Sequence, residues 1–100
     1  MRPGFIVEIN LKNLLYNLSL IKKRVNVPII GVVKADAYGH GAVAVAKTLI
    51  KGGVMGVGVA YVSEAIELRD SGIDAPILVF FDNDVSEDIV KYKLIPVVNT

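Results

Sequence analysis

The spacing of apolar residues changes several times along the chain, and each change marks an element. From Gly4 to Asn10 apolar and polar positions alternate, with Phe5, Val7 and Ile9 on one face and Ile6, Glu8 and Asn10 on the other. Alternation with period two predicts a strand with one half-exposed face. Asn10 is a good N-cap residue. Beyond it Leu11, Leu14, Leu15, Leu18, Ile21 and Val25 recur at helical spacing, which predicts a helix to about Val25. Asn26 and Pro28 mark the turn that follows. Pro28 to Lys34 is apolar and β-branched without alternation until its final lysine. A parallel strand covered on both faces has that pattern.

The same alternation of elements continues. Gly41 to Lys51 is alanine-rich and helical, closed by Gly52-Gly53. Val54 to Tyr61 reads as a buried strand whose glycines imply close backbone approach, to a helix or to a ligand. Ser63 is a good N-cap with Glu64 in the first turn, and Ala65, Ile66 and Leu68 lead on to a stop at Gly72. Pro76 to Phe81 is a third buried strand. Asp84 or Ser86 caps a short helix to about Tyr92, and Leu94 to Asn99 makes a fourth strand. From Leu11 the order is α, then β-α three times, then β, which predicts a parallel sheet with right-handed crossovers. Doubly wound sheets and β/α barrels share this order, and hydropathy alone does not separate them.

Composition adds a constraint on completeness. Apolar residues make up 53% of the 100 residues, and the mean hydropathy is +0.54. A small soluble domain has much surface for its volume and normally carries more polar covering. The excess implies contact with another chain or a piece of a larger protein, and we favour the piece. Eleven basic and ten acidic residues are well mixed. The one basic cluster, Lys22-Lys23-Arg24, closes a helical pattern where cations suit the helix dipole, so no nucleic-acid partner is implied. The absence of cysteine excludes a disulfide framework or thiolate metal site. Glu8 and Asn10 interrupt the early apolar stretch, so no signal peptide is read. No apolar run approaches the ~20 residues that span a bilayer. A soluble, cytoplasmic chain with no membrane partner is expected.

The candidate chemistry lies at Lys34-Ala35-Asp36-Ala37-Tyr38-Gly39-His40-Gly41. Here a buried strand delivers an amine to its C-terminal edge, and a glycine-containing loop leads into a helix N-terminus, where anions are favoured. Taken alone, a lysine at a strand end is ordinarily a boundary residue with its head in water. A desolvated lysine, however, becomes a nucleophile able to form a Schiff base with an aldehyde. Pyridoxal phosphate offers an aldehyde and an anion together. His40 is the single histidine and has no carboxylate at metal-ligand spacing, so it reads as structural and no metal is expected. Asp36 reads as shaping the loop through hydrogen bonds to backbone. Lys12 and Lys47 read as exposed helix residues.

The segment from Val33 to Gly41 closely resembles the cofactor-lysine motif of bacterial alanine racemases. The likeness extends to Val7-Glu8-Ile9-Asn10-Leu11, to Gly58-Val59-Ala60 with Glu64-Ala65 and Leu68-Arg69, and to Gly72 through Val79. Phe80-Phe81-Asp82-Asn83-Asp84 departs from the glycine-containing loop common there, and no functional consequence is attached to it. The resemblance implies the N-terminal half of a TIM-type (β/α)8 barrel, with Lys34 at the C-terminal end of the first barrel strand. Residues 1–10 would form an opening strand packing with an absent C-terminal β domain, and residues 11–100 a partial barrel. About half of the eight strands would be present, leaving the inner faces of Ile29, Val33, Val57 and Leu78 unpacked.

The resemblance further implies alanine racemase activity, interconverting L-alanine and D-alanine through a pyridoxal phosphate aldimine on Lys34. Lys34 would be the catalytic residue, one of two bases, and Tyr38 would hydrogen-bond the cofactor phosphate. The second base, a tyrosine from the partner subunit, and most phosphate ligands lie beyond these residues, so the 100 residues alone would have negligible activity. The full-length enzyme would be a homodimer acting on a small amino acid. A racemase of other amino acids, or a non-catalytic barrel holding the same cofactor, are the alternatives.

Overall fold

A computed structural model describes residues 5–8, 14–33, 41–80 and 87–97, with the backbone alone for residues 5–8 and Leu14. In chain order the elements are β1 (Phe5–Glu8), α1 (Leu14–Arg24), β2 (Ile29–Val32), α2 (Ala42–Lys51), β3 (Gly56–Val59), α3 (Val62–Asp70), β4 (Ile77–Val79), α4 (Glu87–Lys91) and β5 (Ile95–Pro96). Each strand coincides with a β-branched run and each helix with a helical period. The expected cap at Asn10, the Asp84 or Ser86 cap of α4, the placement of Lys12 and the strand end at Asn99 lie outside the described residues.

Spatial order repeats chain order. The sheet runs β1-β2-β3-β4-β5, and every adjacent pair is parallel. A doubly wound sheet reverses its strand order at a switch point and carries helices on both faces. Neither holds here. Helix α1 packs on α2, α2 on α3 and α3 on α4. Leu18 of α1, Leu49 of α2, Leu68 of α3 and Ile89 of α4 share one apolar cluster with Val57, Val59, Ile77 and Val79. Helices laid in sequence along one face of an in-order parallel sheet are the winding of a β/α barrel, of which this is the N-terminal part. The opening strand, expected to differ in kind from the others, is hydrogen-bonded to β2 as the edge strand of the same sheet, with Phe5 opposite Ile29 and Glu8 opposite Val32.

Register decides which side chains meet the helices. Ile29, Val33, Val57, Val59, Ile77 and Val79 belong to the cluster under the helix layer. The alternate positions Ile30, Val32, Gly56, Gly58 and Leu78 take the other, inner face. This corrects the expectation for Ile29, Val33 and Val57, which pack beneath helices; of the four residues named, Leu78 alone is inner. A run that is apolar on both faces carries no alternation to tell them apart. Nor is the inner face bare, since Ile30 and Leu78 are 0% and 2% exposed. Among the described residues the exposed large apolar side chains are Leu15, Tyr16, Leu20, Val27, Tyr61 and Val90, none of them in a strand.

Two local devices set the helices against the sheet. Gly31 leaves room for Leu49 of α2, whose Cδ1 would stand 2.9 Å from a Cβ added there. Helix α3 begins two residues earlier than Ser63 predicts, with Tyr61 as N-cap. The reason is Glu64: its Oε1 accepts from the backbone N–H of Ala60 and of Tyr61, each at 2.9 Å, while the N–H groups of Glu64 and Ala65 donate to the Tyr61 carbonyl. A carboxylate at the third helical position reaches back to the amides that precede the helix, the reciprocal half of a capping box.

Candidate active site

All five strands point the same way, so their C-terminal ends share one edge. The ladder holds up to that edge: the N–H of Val33 donates to the Gly58 carbonyl at 2.8 Å, that of Phe80 to Val59 at 2.9 Å, and that of Val97 to Val79 at 2.9 Å. Val33 is the residue before Lys34. Position 34 therefore follows directly from a strand held in the sheet between β1 and β3. Lys34, Asp36, Tyr38 and His40 themselves lie outside the described residues, as do Phe81 to Asp84.

The far end of the lysine loop is described. Gly41 precedes α2 with φ 79° and ψ 130°, a left-handed φ that glycine adopts freely. The first turn of α2 has no side-chain cap and no acidic residue. Among the described residues nothing negative faces its N–H groups and dipole, which favour an anion. The loop consequently leaves a strand C-terminus and returns into a helix N-terminus at the same edge of the sheet. The Glu64 carboxylate pins the adjacent β3–α3 turn.

Phe80 is the residue at this edge that sequence reasoning passed over. Gly58 pairs with Val32 on one side and Leu78 on the other, and the Phe80 ring lies against the space above Gly58. A Cβ added to Gly58 would overlap ring atoms Cε2 and Cζ. The ring thus occupies the inner face over a strand that has no side chain there. The signal was present in the alternation of Gly56 and Gly58, which leaves β3 without inner side chains. The close approach foreseen for these glycines is made at Gly58 by a neighbouring strand's aromatic ring.

Other features lie apart from this edge. Among the described residues no group of histidine, cysteine, aspartate or glutamate could hold a metal ion, and no helix is long and apolar enough to cross a membrane. A shallow groove of about 430 Å³ is lined by Lys22, Val27, Pro28, Gly53 and Met55 among others, at the opposite, N-terminal ends of β2 and β3. Lys47 is exposed, as expected.

Residues 9–100 match the family model of the alanine racemase N-terminal domain. An alanine racemase of Thermodesulfovibrio yellowstonii is 53% identical over 96 residues, covering 91% of this chain and 26% of that protein. One of Clostridium kluyveri is 48% identical over 94 residues, covering 91% and 24%. Among solved structures, the alanine racemase of Clostridium difficile 630 superposes with a TM-score of 0.75 at 48% identity, covering 91% of this chain and 25% of that one. The alanine racemase from E. faecalis superposes with a TM-score of 0.76 at 36% identity, covering 93% and 26%. The chain spans about a quarter of the length of these relatives. On the matched sequence and the in-order parallel sheet together, it belongs to the alanine racemase N-terminal domain family.

Proposed function

We propose that this chain supplies the cofactor lysine of a pyridoxal-phosphate-dependent alanine racemase that interconverts L-alanine and D-alanine. The observation that carries this is the hydrogen-bonded course of β2 up to Val33, in a chain of this family. Val33 thus stands at the sheet edge where barrel enzymes perform their chemistry, and Lys34 is the next residue in sequence. The residues present suit both ends of the cofactor. The Lys34 amine suits its aldehyde, and the uncapped, acid-free first turn of α2 suits its phosphate. When bound, the cofactor supplies an electron sink for the charge left behind as the substrate Cα proton departs.

The chain's own residues then have distinct tasks. Lys34 Nζ takes the Cα proton from one face of the substrate or returns it there. The Tyr38 hydroxyl donates to the phosphate and fixes the cofactor's orientation. Asp36 and His40 shape the loop between them. A second base must act on the opposite face, and the resemblance assigns it to a tyrosine of the partner subunit in a cytoplasmic homodimer. β1 is the edge strand of the described sheet, paired on one side only, and residues 1–10 would there meet the C-terminal β domain. With one base of two, these 100 residues alone racemise alanine negligibly.

The test is an absorbance spectrum of the protein with pyridoxal phosphate, set against a Lys34→Ala variant. An imine band in the parent that the variant lacks supports the assignment. Identical spectra would remove Lys34 as the cofactor's anchor in this chain.

A further inference from the structure

The strand β5 stands at one edge of the described sheet and is paired from one side only. Val79 lies opposite Pro96, and the N–H of Val97 donates to the Val79 carbonyl at 2.9 Å. Backbone groups alternate sides along a strand. With Val97 turned towards β4, residue 96 turns its own groups to the open edge. Pro96 is exposed there, and a proline has no N–H. The preceding position on that edge is Leu94, whose N–H is already given to the Ile89 carbonyl at 2.9 Å. Among the described residues the open edge of β5 therefore offers carbonyls and no N–H.

We propose that Pro96 is an edge guard, which stops a second copy of this chain from docking on β5 as an added strand. The surrounding sequence needs one. Leu94-Ile95-Pro96-Val97-Val98 is apolar and β-branched apart from its proline, the composition of a segment prone to pair with its like. An exposed strand edge is a template for another chain, and proline is one of the residues that blunts it. Two-fold pairing of β5 with its copy is the arrangement most fully denied. There the strands run antiparallel, and hydrogen-bonded residues facing each other across the axis exchange two N–H···O bonds. With Pro96 facing Pro96, neither bond forms. The sheet itself loses nothing by this, because the N–H that ties β5 to Val79 belongs to Val97.

The experiment uses the 100-residue protein in a Tyr16→Lys, Leu20→Lys background, which charges the exposed apolar face of α1 and separates strand pairing from contacts through that helix. Pro96→Ala restores an N–H while removing apolar surface. Pro96→Val restores it on a strong strand former. In sedimentation velocity both variants should associate with a dissociation constant at least roughly tenfold below that of the background, with far-ultraviolet circular dichroism unchanged. By hydrogen exchange, the amide of residue 96 should slow as protein concentration rises. Sedimentation of both variants like the background overturns the proposal. So does association in which the residue 96 amide exchanges freely at every concentration. Association of Pro96→Val without that of Pro96→Ala assigns the effect to apolar surface and overturns it as well.

Discussion

The Nε of Arg69, in the last turn of α3, donates to the carbonyl of Tyr92 at 2.8 Å, 23 residues further along the chain. The same guanidinium reaches the carbonyls of Ile73 and Ala75 through Nη1, at 2.8 and 2.7 Å, and that of Lys93 through Nη2 at 3.1 Å. Lys93 holds φ 55° in the turn before β5. One side chain therefore ties α3 to the segments that enter β4 and β5. A rigid fork of donors can serve four diverging carbonyls, whereas an ammonium is a point charge with three donors. Arg69→Lys is expected to cost about 2 kcal/mol. The check is a urea titration: a lower midpoint with unchanged slope agrees, and an unmoved midpoint contradicts the clamp.

The contact of Gly31 with Leu49 makes a second expectation. Leu49 is 1% exposed and rests where a Cβ on Gly31 would go. Gly31→Ala should destabilise by about 1–3 kcal/mol through overpacking. In a Leu49→Ala background, itself costing about 2–5 kcal/mol, the same change should be nearly neutral. A double-mutant cycle measures the coupling, and additive losses would argue against it.

At the start of α3, sequence points to Ser63 and the structure to Glu64. Glu64→Ala should cost about 1 kcal/mol by orphaning the Ala60 and Tyr61 amides. Ser63 is exposed, and Ser63→Ala should stay within about 0.5 kcal/mol of the parent. Thermal melts of the two variants decide between them, and a larger loss at Ser63 would return the cap to the hydroxyl.

Exposed apolar side chains sit at the two ends of the helix layer. Tyr16 and Leu20, one turn apart on α1, are 65% and 38% exposed, and Val90 on α4 is 79% exposed. Self-association through these ends is expected. Tyr16→Lys with Leu20→Lys should raise the dissociation constant at least roughly tenfold, read by sedimentation velocity, with helix content intact. Unaltered sedimentation would place the contact elsewhere.

The existence and kind of each described element were legible because period and composition agree there: β-branched runs gave β2, β3 and β4, and alanine-rich or leucine-periodic runs gave α1 and α2. Facing was not legible. Val57 and Leu78 look alike in sequence, yet one lies under helices and the other inside, because a strand buried twice has no polar side to break the symmetry. Glycine alternation at Gly56 and Gly58 would have broken it. The cap of α3 was missed by two residues because a carboxylate three positions inside the helix, reaching back to the Ala60 and Tyr61 amides, fixes its start without a hydroxyl at its edge. For the site, the lysine that follows β2 was read from sequence, and the Val33–Gly58 hydrogen bond shows the strand held in the sheet up to the residue before it. The Phe80 ring over Gly58 was not read, because the glycine alternation marks a gap in β3 without saying which neighbouring side chain fills it.

The in-order sheet also bears on how the molecule comes into being. Since each strand's partner is the strand synthesised before it, a β/α unit emerging from the ribosome finds its docking surface already made. No strand must wait for a distant one to complete its ladder, so chain closure between neighbours stays short and inexpensive in entropy. Growth by accretion of this kind makes the first unit the template for the rest. A fault in β2, such as a side chain at Gly31, would then be felt in the order of assembly as well as in the finished fold.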